Sequence, residues 1–208
     1  DLLLKAMLMA TEKINKDLNP TLESIQKLFQ RRIDLVTFCE DKVVKILSNK
    51  DALYNADGNA QLISTNRVLG DANPFVGDYG ISKDPASFAK ESYRAYFTDK
   101  QRGAVLRLSM DGLTPISDAG MHDYFRDNLS ISDGILGSYD AYKGNYNLTL
   151  KGDNRDDVTI SYDEKSKGWS SFKSFIPDFG LSCANNYYTF NEGQAYKHHV
   201  LEDLNGGP

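Results

Sequence analysis

The chain has 208 residues, a formal net charge of −5, 40% hydrophobic and 25% charged residues. That suffices for a domain with a real core, and the acidic balance argues against direct nucleic-acid binding, which draws on clustered Lys and Arg. No stretch approaches the roughly 18 apolar residues of a membrane span, so no span is expected.

Twelve Tyr and ten Phe against one Trp make an aromatic load that favours strands. Residues 1–19 stand apart. Leu3, Met7 and Ile14 approximate one helical face, and Asn19 with Pro20 closes the segment, so it reads as an N-terminal helix or linker. The apolar run 2–10 lacks a basic leader and makes a poor signal peptide. The sequence starts without Met and ends Leu204-Asn205-Gly206-Gly207-Pro208, the texture of a piece of a longer product; 201–208 reads as a tail.

From Ser24 the texture becomes that of strands. Residues 35–39 and 43–47 form a hairpin around Glu40-Asp41-Lys42. Residues 48–51 read as a turn, 52–54 as a new edge, and Asn55-Ala56-Asp57-Gly58-Asn59 as a strong turn before a strand at 61–64. Alternation then fades over 65–92, where Gly70, Pro74, Gly77 and Gly80 predict a long loop with a short helix over 85–90 capped by Asp84. A loop of that length carries contacts or function. Phe75 and Tyr79, with Phe88 just beyond, are therefore the candidate interface residues, as aromatics on a Gly/Pro-shaped surface make good anchors. A loop that merely covers the fold is the competing reading.

The clearest hairpin is 95–99 and 104–109 with a turn ending at Gly103, followed by a return near 113–116. Met121, Tyr124, Phe125 and Leu129 predict a helix over 117–129. Three more hairpins follow, 135–140 with 145–150, 158–162 with 169–175, and 186–190 with 194–199. An aromatic-rich strand, an acidic or Asn-bearing turn and a late glycine (Gly58, Gly103, Gly144, Gly168, Gly193) recur. The last three turns lie about 25 residues apart, so two hairpins give a unit of about 45 to 50 residues. Residues 20–200 thus read as mainly β, antiparallel hairpins forming roughly three to four β-propeller-like blades, a partial propeller with a few short helices; a sandwich gives a similar rhythm.

Several stretches resemble large virion structural proteins of tailed bacteriophages, of the marine and crAss-like gut phage type. They are LVTFCEDKVVKIL at 35–47, LYNADGN at 53–59, SYRAYFTDKQRGAVLRLSMDGLTPIS at 92–117, GMHDYFRDNL at 120–129, GSYDAYKGNYNLTL at 137–150, ISYDEKSKGWSSFKSFIP at 160–177 and NNYYTFNEGQAYKHH at 185–199. The resemblance covers about residues 20–200. It implies a non-enzymatic, tail-associated building block, made in the bacterial host cytoplasm and resident in the virion. Its partners would be other tail subunits, in a homo- or hetero-oligomer.

Chemical motifs are weak. His198 and His199 are adjacent, so a strand would point them to opposite faces and away from one metal. Asp153, Asn154, Asp156 and Asp157 lack the spacing of a calcium loop. The stretch before Trp169 has its glycine in the wrong place for a sialidase-type aspartate turn, which makes Trp169 a packing anchor. No nucleophile elbow or phosphate loop is present. No enzyme activity, cofactor or metal is therefore assigned. Cys39 and Cys183 are read as two buried thiols. The alternative function is a carbohydrate-binding or glycan-cleaving propeller used in host attachment.

Overall fold

A computed structural model describes residues 17–31, 34–54, 60–153 and 156–200, with backbone alone over 48–54 and 60–68. The expected helix of the N-terminal segment, the turn at Gly58 and the tail 201–208 lie outside the described residues. The chain is mainly β and divides into two compact units, 1–83 and 84–208.

The first unit holds one antiparallel sheet of order β1-β2-β3-β4, with β1 Ile25–Gln30, β2 Asp34–Cys39, β3 Val43–Tyr54 and β4 Ala60–Pro74. Val36, Phe38, Cys39, Val43, Val44, Ile46, Leu47 and Ile81 are buried apolar residues of this unit. Asp34 is buried too, and Arg31 meets its carboxylate with two hydrogen bonds of 2.7 Å. The predicted hairpin at 35–47 is present. The turn expected at 48–51 is not: Lys50 pairs with Ser64 and Asp51 with Ile63 inside β3 and β4. Register shifts between Ile46 and Ser48 and between Ser48 and Lys50 take up the polar residues without breaking the ladder. The loop expected over 65–92 shrinks for the same reason, because Ala72 and Asn73 pair with Ile46 and Lys45.

The second unit carries three further antiparallel sheets, each of strands consecutive in sequence. The second sheet contains β5 Ala89–Lys90, β6 Ala95–Asp99, β7 Ala104–Ser109 and β8 Gly112–Pro115. Helix α1, His122–Ser130, follows it. The third sheet contains β9 Gly134–Asp140, β10 Asn145–Lys151, β11 Val158–Asp163 and β12 Gly168–Lys173. The fourth contains β13 Phe179–Cys183, β14 Asn186–Asn191 and β15 Gln194–Lys197. The leading strand of the third sheet, β9, packs against both β5 and β13.

Two helical expectations need correction. Only Pro85–Ser87 forms a 3-10 turn, and the Asp84 side chain caps nothing. Ser87 is held instead by its hydroxyl, which donates to the Asp84 carbonyl at 2.7 Å and accepts from the Thr98 amide at 3.1 Å, and the chain then pairs as β5. The helix expected over 117–129 is split into a 3-10 turn, Ile116–Asp118, and α1. Gly120, at φ 82°, separates them. The predicted apolar face survives: Phe125 and Leu129 are buried, and Met121 and Tyr124 pack beside them. At the fourth shared turn the left-handed residue is Lys167, φ 53°, and Gly168 already begins β12.

The main core of this unit lies between the second and third sheets. It contains Tyr96, Val105, Phe125, Leu129, Ile135, Tyr146, Leu148, Leu150 and Ile160. Trp169 closes its edge, 4.5 Å from the Phe125 ring and 5.4 Å from Tyr162, with its indole N–H donating 2.9 Å to the Ile116 carbonyl. That is the anchor role expected of it. The thiol expectation holds for Cys39, which is buried, and fails for Cys183, which is exposed; both are free.

Candidate functional site

The densest chemistry among the described residues lies where consecutive sheets of the second unit meet. At the junction of the second and third sheets, Gly137 is pressed against the Ser87 carbonyl, and a Cβ there would stand 1.8 Å from that oxygen. The Tyr146 hydroxyl donates to the same carbonyl at 2.8 Å. Only glycine permits an approach this close.

Above it, three tyrosines form a stack. The Tyr96 ring lies 4.9 Å from Tyr146 and 5.7 Å from Tyr139, with interplanar angles of 13° and 11°. The Tyr96 hydroxyl donates 2.8 Å to Glu164, on the turn between β11 and β12. Arg107 lies opposite Tyr96 across the β6–β7 ladder and donates to both Glu164 oxygens at 3.2 and 3.3 Å. Arg94 approaches Glu164 at 3.7 Å and pairs with Glu91 at 3.1 Å. Burial, then the hydrogen bond to Glu164, pushes the Tyr96 phenol well above its ordinary range. Burial pushes Tyr146 up likewise, and Tyr139 to about 12. A carboxylate shared by two guanidiniums and a phenol held protonated form an electrostatic latch between sheets.

The junction of the third and fourth sheets is polar. Ser138, Asn147, Thr149, Thr159 and Ser161 are all buried on the third sheet, and Tyr187 and Thr189 are buried on the fourth. Thr149 and Thr159 share a hydrogen bond of 2.8 Å, and Ser161 donates to Asn147. The Ser138 and Tyr187 hydroxyls meet at 2.8 Å. The Ser182 hydroxyl donates to the Tyr139 carbonyl at 2.8 Å and accepts the Ala141 amide at 2.9 Å. Gly180 allows this contact, since a Cβ there would lie 2.8 Å from that of Ser138. Lys151 pairs with Asp178 at 2.7 Å.

The two histidines close this junction from the end of β15. His198 contacts the Thr189 hydroxyl at 2.7 Å and lies between Phe175 and Tyr187. Burial, then the neighbouring His199, holds its imidazole below the usual range. His199 reaches the buried Asp140 carboxylate at 2.6 Å and stacks on Tyr142. The histidines diverge, and among the described residues no group of His, Cys, Asp and Glu is arranged to hold a metal ion. In the acidic loop, Asp157 accepts the Gly152 amide at 3.2 Å and Asp133 accepts that of Asp153 at 3.1 Å. Asn154 lies outside the described residues.

The candidate interface residues are split between the units. Phe75 and Tyr79 lie on the loop after β4, both half-buried, and Phe88 ends the 3-10 turn of the second unit, also half-buried. The Phe75 amide donates to the Val43 carbonyl at 2.9 Å, and Arg31 sits 5.8 Å from the Phe75 ring centroid. The end of this loop is fastened to the β2–β3 hairpin. Gly80 abuts the Glu40 carbonyl, where a Cβ would stand 1.9 Å away, and Ile81 and Ser82 donate to Cys39 and Glu40 at 3.0 Å. The exposed apolar residue of the loop is Val76, which an aromatic criterion passes over. The Tyr96 latch has no contiguous sequence signature, because Glu164 is 68 residues away. Its one local signal is the placing of Arg94, Tyr96 and Arg107 on the clearest hairpin.

No protein-family model matches the chain, and no curated protein matches it. No helix among the described residues is long and apolar enough to cross a membrane.

Proposed function

We propose that the chain is a non-enzymatic structural component of a bacteriophage virion, associated with the tail, whose sheets act as propeller-like blades. Its activity on this reading is mechanical: rigid sheets hold a shape and present surfaces to neighbouring subunits. The observation that carries it is how the sheet junctions are built. Gly137 and Gly180 admit backbone contact, hydroxyls satisfy the buried polar groups, and Glu164 ties β6 and β7 to the β11–β12 turn. Such residues are spent on holding sheets together. The leading strands β5, β9 and β13 packing in series also favour a blade-like arrangement. The sequence resemblance to tailed-phage virion proteins supplies the setting.

Mass spectrometry of gradient-purified particles tests the proposal. The chain should be present in stoichiometric amount, and its absence would end the proposal. A glycan array on the same protein separates it from the host-attachment alternative, which requires specific glycan binding.

A further inference from the structure

The fourth sheet is docked mainly by polar contacts, and two histidines fasten one end of it. None of its residues belongs to the apolar cluster between the second and third sheets, and Tyr187 is its only buried apolar side chain. It is tied to the third sheet by the Ser138–Tyr187 hydroxyl pair, the Ser182 hydroxyl on the Tyr139 carbonyl, the Lys151–Asp178 ion pair and His199 on Asp140. An element with few buried apolar contacts opens at a lower free energy than the core it rests on.

One carboxylate serves both imidazoles. Asp140, at the end of β9, meets His199 Nε2 at 2.6 Å through one oxygen and accepts the Tyr142 and Lys143 amides at 3.0 and 3.1 Å through the other. His199 holds a left-handed backbone, φ 60°, with its ring stacked on Tyr142. His198 has only neutral partners. Its Nε2 contacts the Thr189 hydroxyl at 2.7 Å, and its amide donates to the Tyr187 carbonyl at 2.9 Å. Its ring is wedged 4.5 Å from Phe175, on the connection to β13, and 5.0 Å from Tyr187. Among the described residues no carboxylate pairs with it. Burial disfavours a proton on this ring most and His199 next; Asp140 favours one, and Lys173, at the end of β12, opposes it.

We infer that His198 is an acid-sensitive clasp, whose protonation releases the fourth sheet from the third while the second and third sheets stay packed. A cation there has no counter-charge and stands beside a second imidazole, so it leaves the cleft between Phe175 and Tyr187 for water. Its departure uncovers Tyr187 and draws the adjoining His199 off Asp140, which removes two of the ties. The folded pKa of His198 is lowered, so the docking it supports is fully present above the ordinary imidazole value of about 6.5 and is lost as pH falls through the folded value. Asp178, which carries another tie, stays ionised at pH 5, because Lys151 and the Glu192 amide hold its carboxyl below the usual range. The clasp is a property of the chain itself and does not rest on the virion reading.

Hydrogen exchange of the full chain at about pH 7.5 and about pH 5, corrected for intrinsic rates, tests it, with Trp169 fluorescence reporting on the core between the second and third sheets. At the higher pH the slowest amides of β13 and β14 should match those of β10. At the lower pH they should lose about threefold to thirtyfold more protection than β10, thirtyfold being the limit for one imidazole of ordinary pKa that is protonated only after release. Trp169 emission should not change. His198→Gln keeps a donor for Thr189 and takes up no proton, so the difference should vanish. Asp140→Asn keeps an acceptor for the Tyr142 and Lys143 amides but removes the charge that favours a proton on His198, so release should move to higher pH. Lys173→Gln should move it to lower pH. Equal loss in β10 and β14 overturns the inference, as does a fourth sheet still matched to β10 at pH 5. So does a difference that survives His198→Gln, or release that Asp140→Asn moves to lower pH.

Discussion

Gly137 shows how much one hydrogen atom can decide. Its α-hydrogen faces the Ser87 carbonyl, and a methyl group there would meet that oxygen at 1.8 Å. Gly137→Ala should therefore force β9 away from the Ser87 turn and cost at least about 2 kcal/mol, read from urea denaturation. Tyr146→Phe leaves the ring stack intact and removes the donor to the same carbonyl, so a smaller loss of about 1–2 kcal/mol is expected. Glu164→Gln removes the shared carboxylate while Arg107 and Arg94 remain beside it. Breaking a buried pair costs about 3–5 kcal/mol, and partial exposure of Arg94, 37%, brings the expected loss nearer about 2. The buried phenols set an alkaline limit. Their folded pKa values are raised, so the folded state keeps protons that the unfolded chain releases. Stability is full below about pH 10 and is lost as pH rises beyond it. Exposed tyrosines such as Tyr93 and Tyr142 titrate gradually in the folded protein, so the tyrosinate absorbance of the buried phenols should appear as a further step together with unfolding; completion of the full tyrosinate signal in a still-folded protein would contradict this. His198 works at the other end. Its folded pKa is lowered, so its contribution is present above about pH 6.5 and is lost as pH falls. His198→Gln should narrow the difference in urea midpoint between pH 7.5 and pH 5.

At the scale of elements, local pattern was legible and its two-sided burial was not. The hairpins around Gly103, Gly144 and Gly193 could be read from turn chemistry, since each glycine takes a left-handed φ. The apolar face of α1 could be read from helical spacing. Tyr146, Leu148 and Leu150 alternate with Asn147 and Thr149, which suggests one buried and one solvated face. Both faces are in fact buried, and the polar one is satisfied by Thr159 and Ser161 of the neighbouring strand, with the Tyr187 hydroxyl of the fourth sheet reaching the adjoining Ser138. A hydroxyl satisfied by another sheet looks the same in sequence as one satisfied by water. The latch around Glu164 was hidden for a related reason: it is assembled by the packing of two sheets, which no local period encodes. In β3 and β4, Ser48-Asn49-Lys50-Asp51 has turn chemistry, yet the ladder with β4 holds it extended through shifts in register.

At the scale of the molecule, the account makes the second unit a set of sheets that act as one body. The hydroxyl layer under the fourth sheet and the latch above the second both lie between sheets, so loosening either should loosen its neighbours. Cys183 is exposed and offers a labelling site on the fourth sheet, while Cys39 is buried. Native-state hydrogen exchange is the most direct measurement. The slowest amides of β6, β10 and β14 should exchange together, with one free energy equal to that of global unfolding of the unit. Separate free energies for the three strands, each sheet opening on its own, would contradict the account.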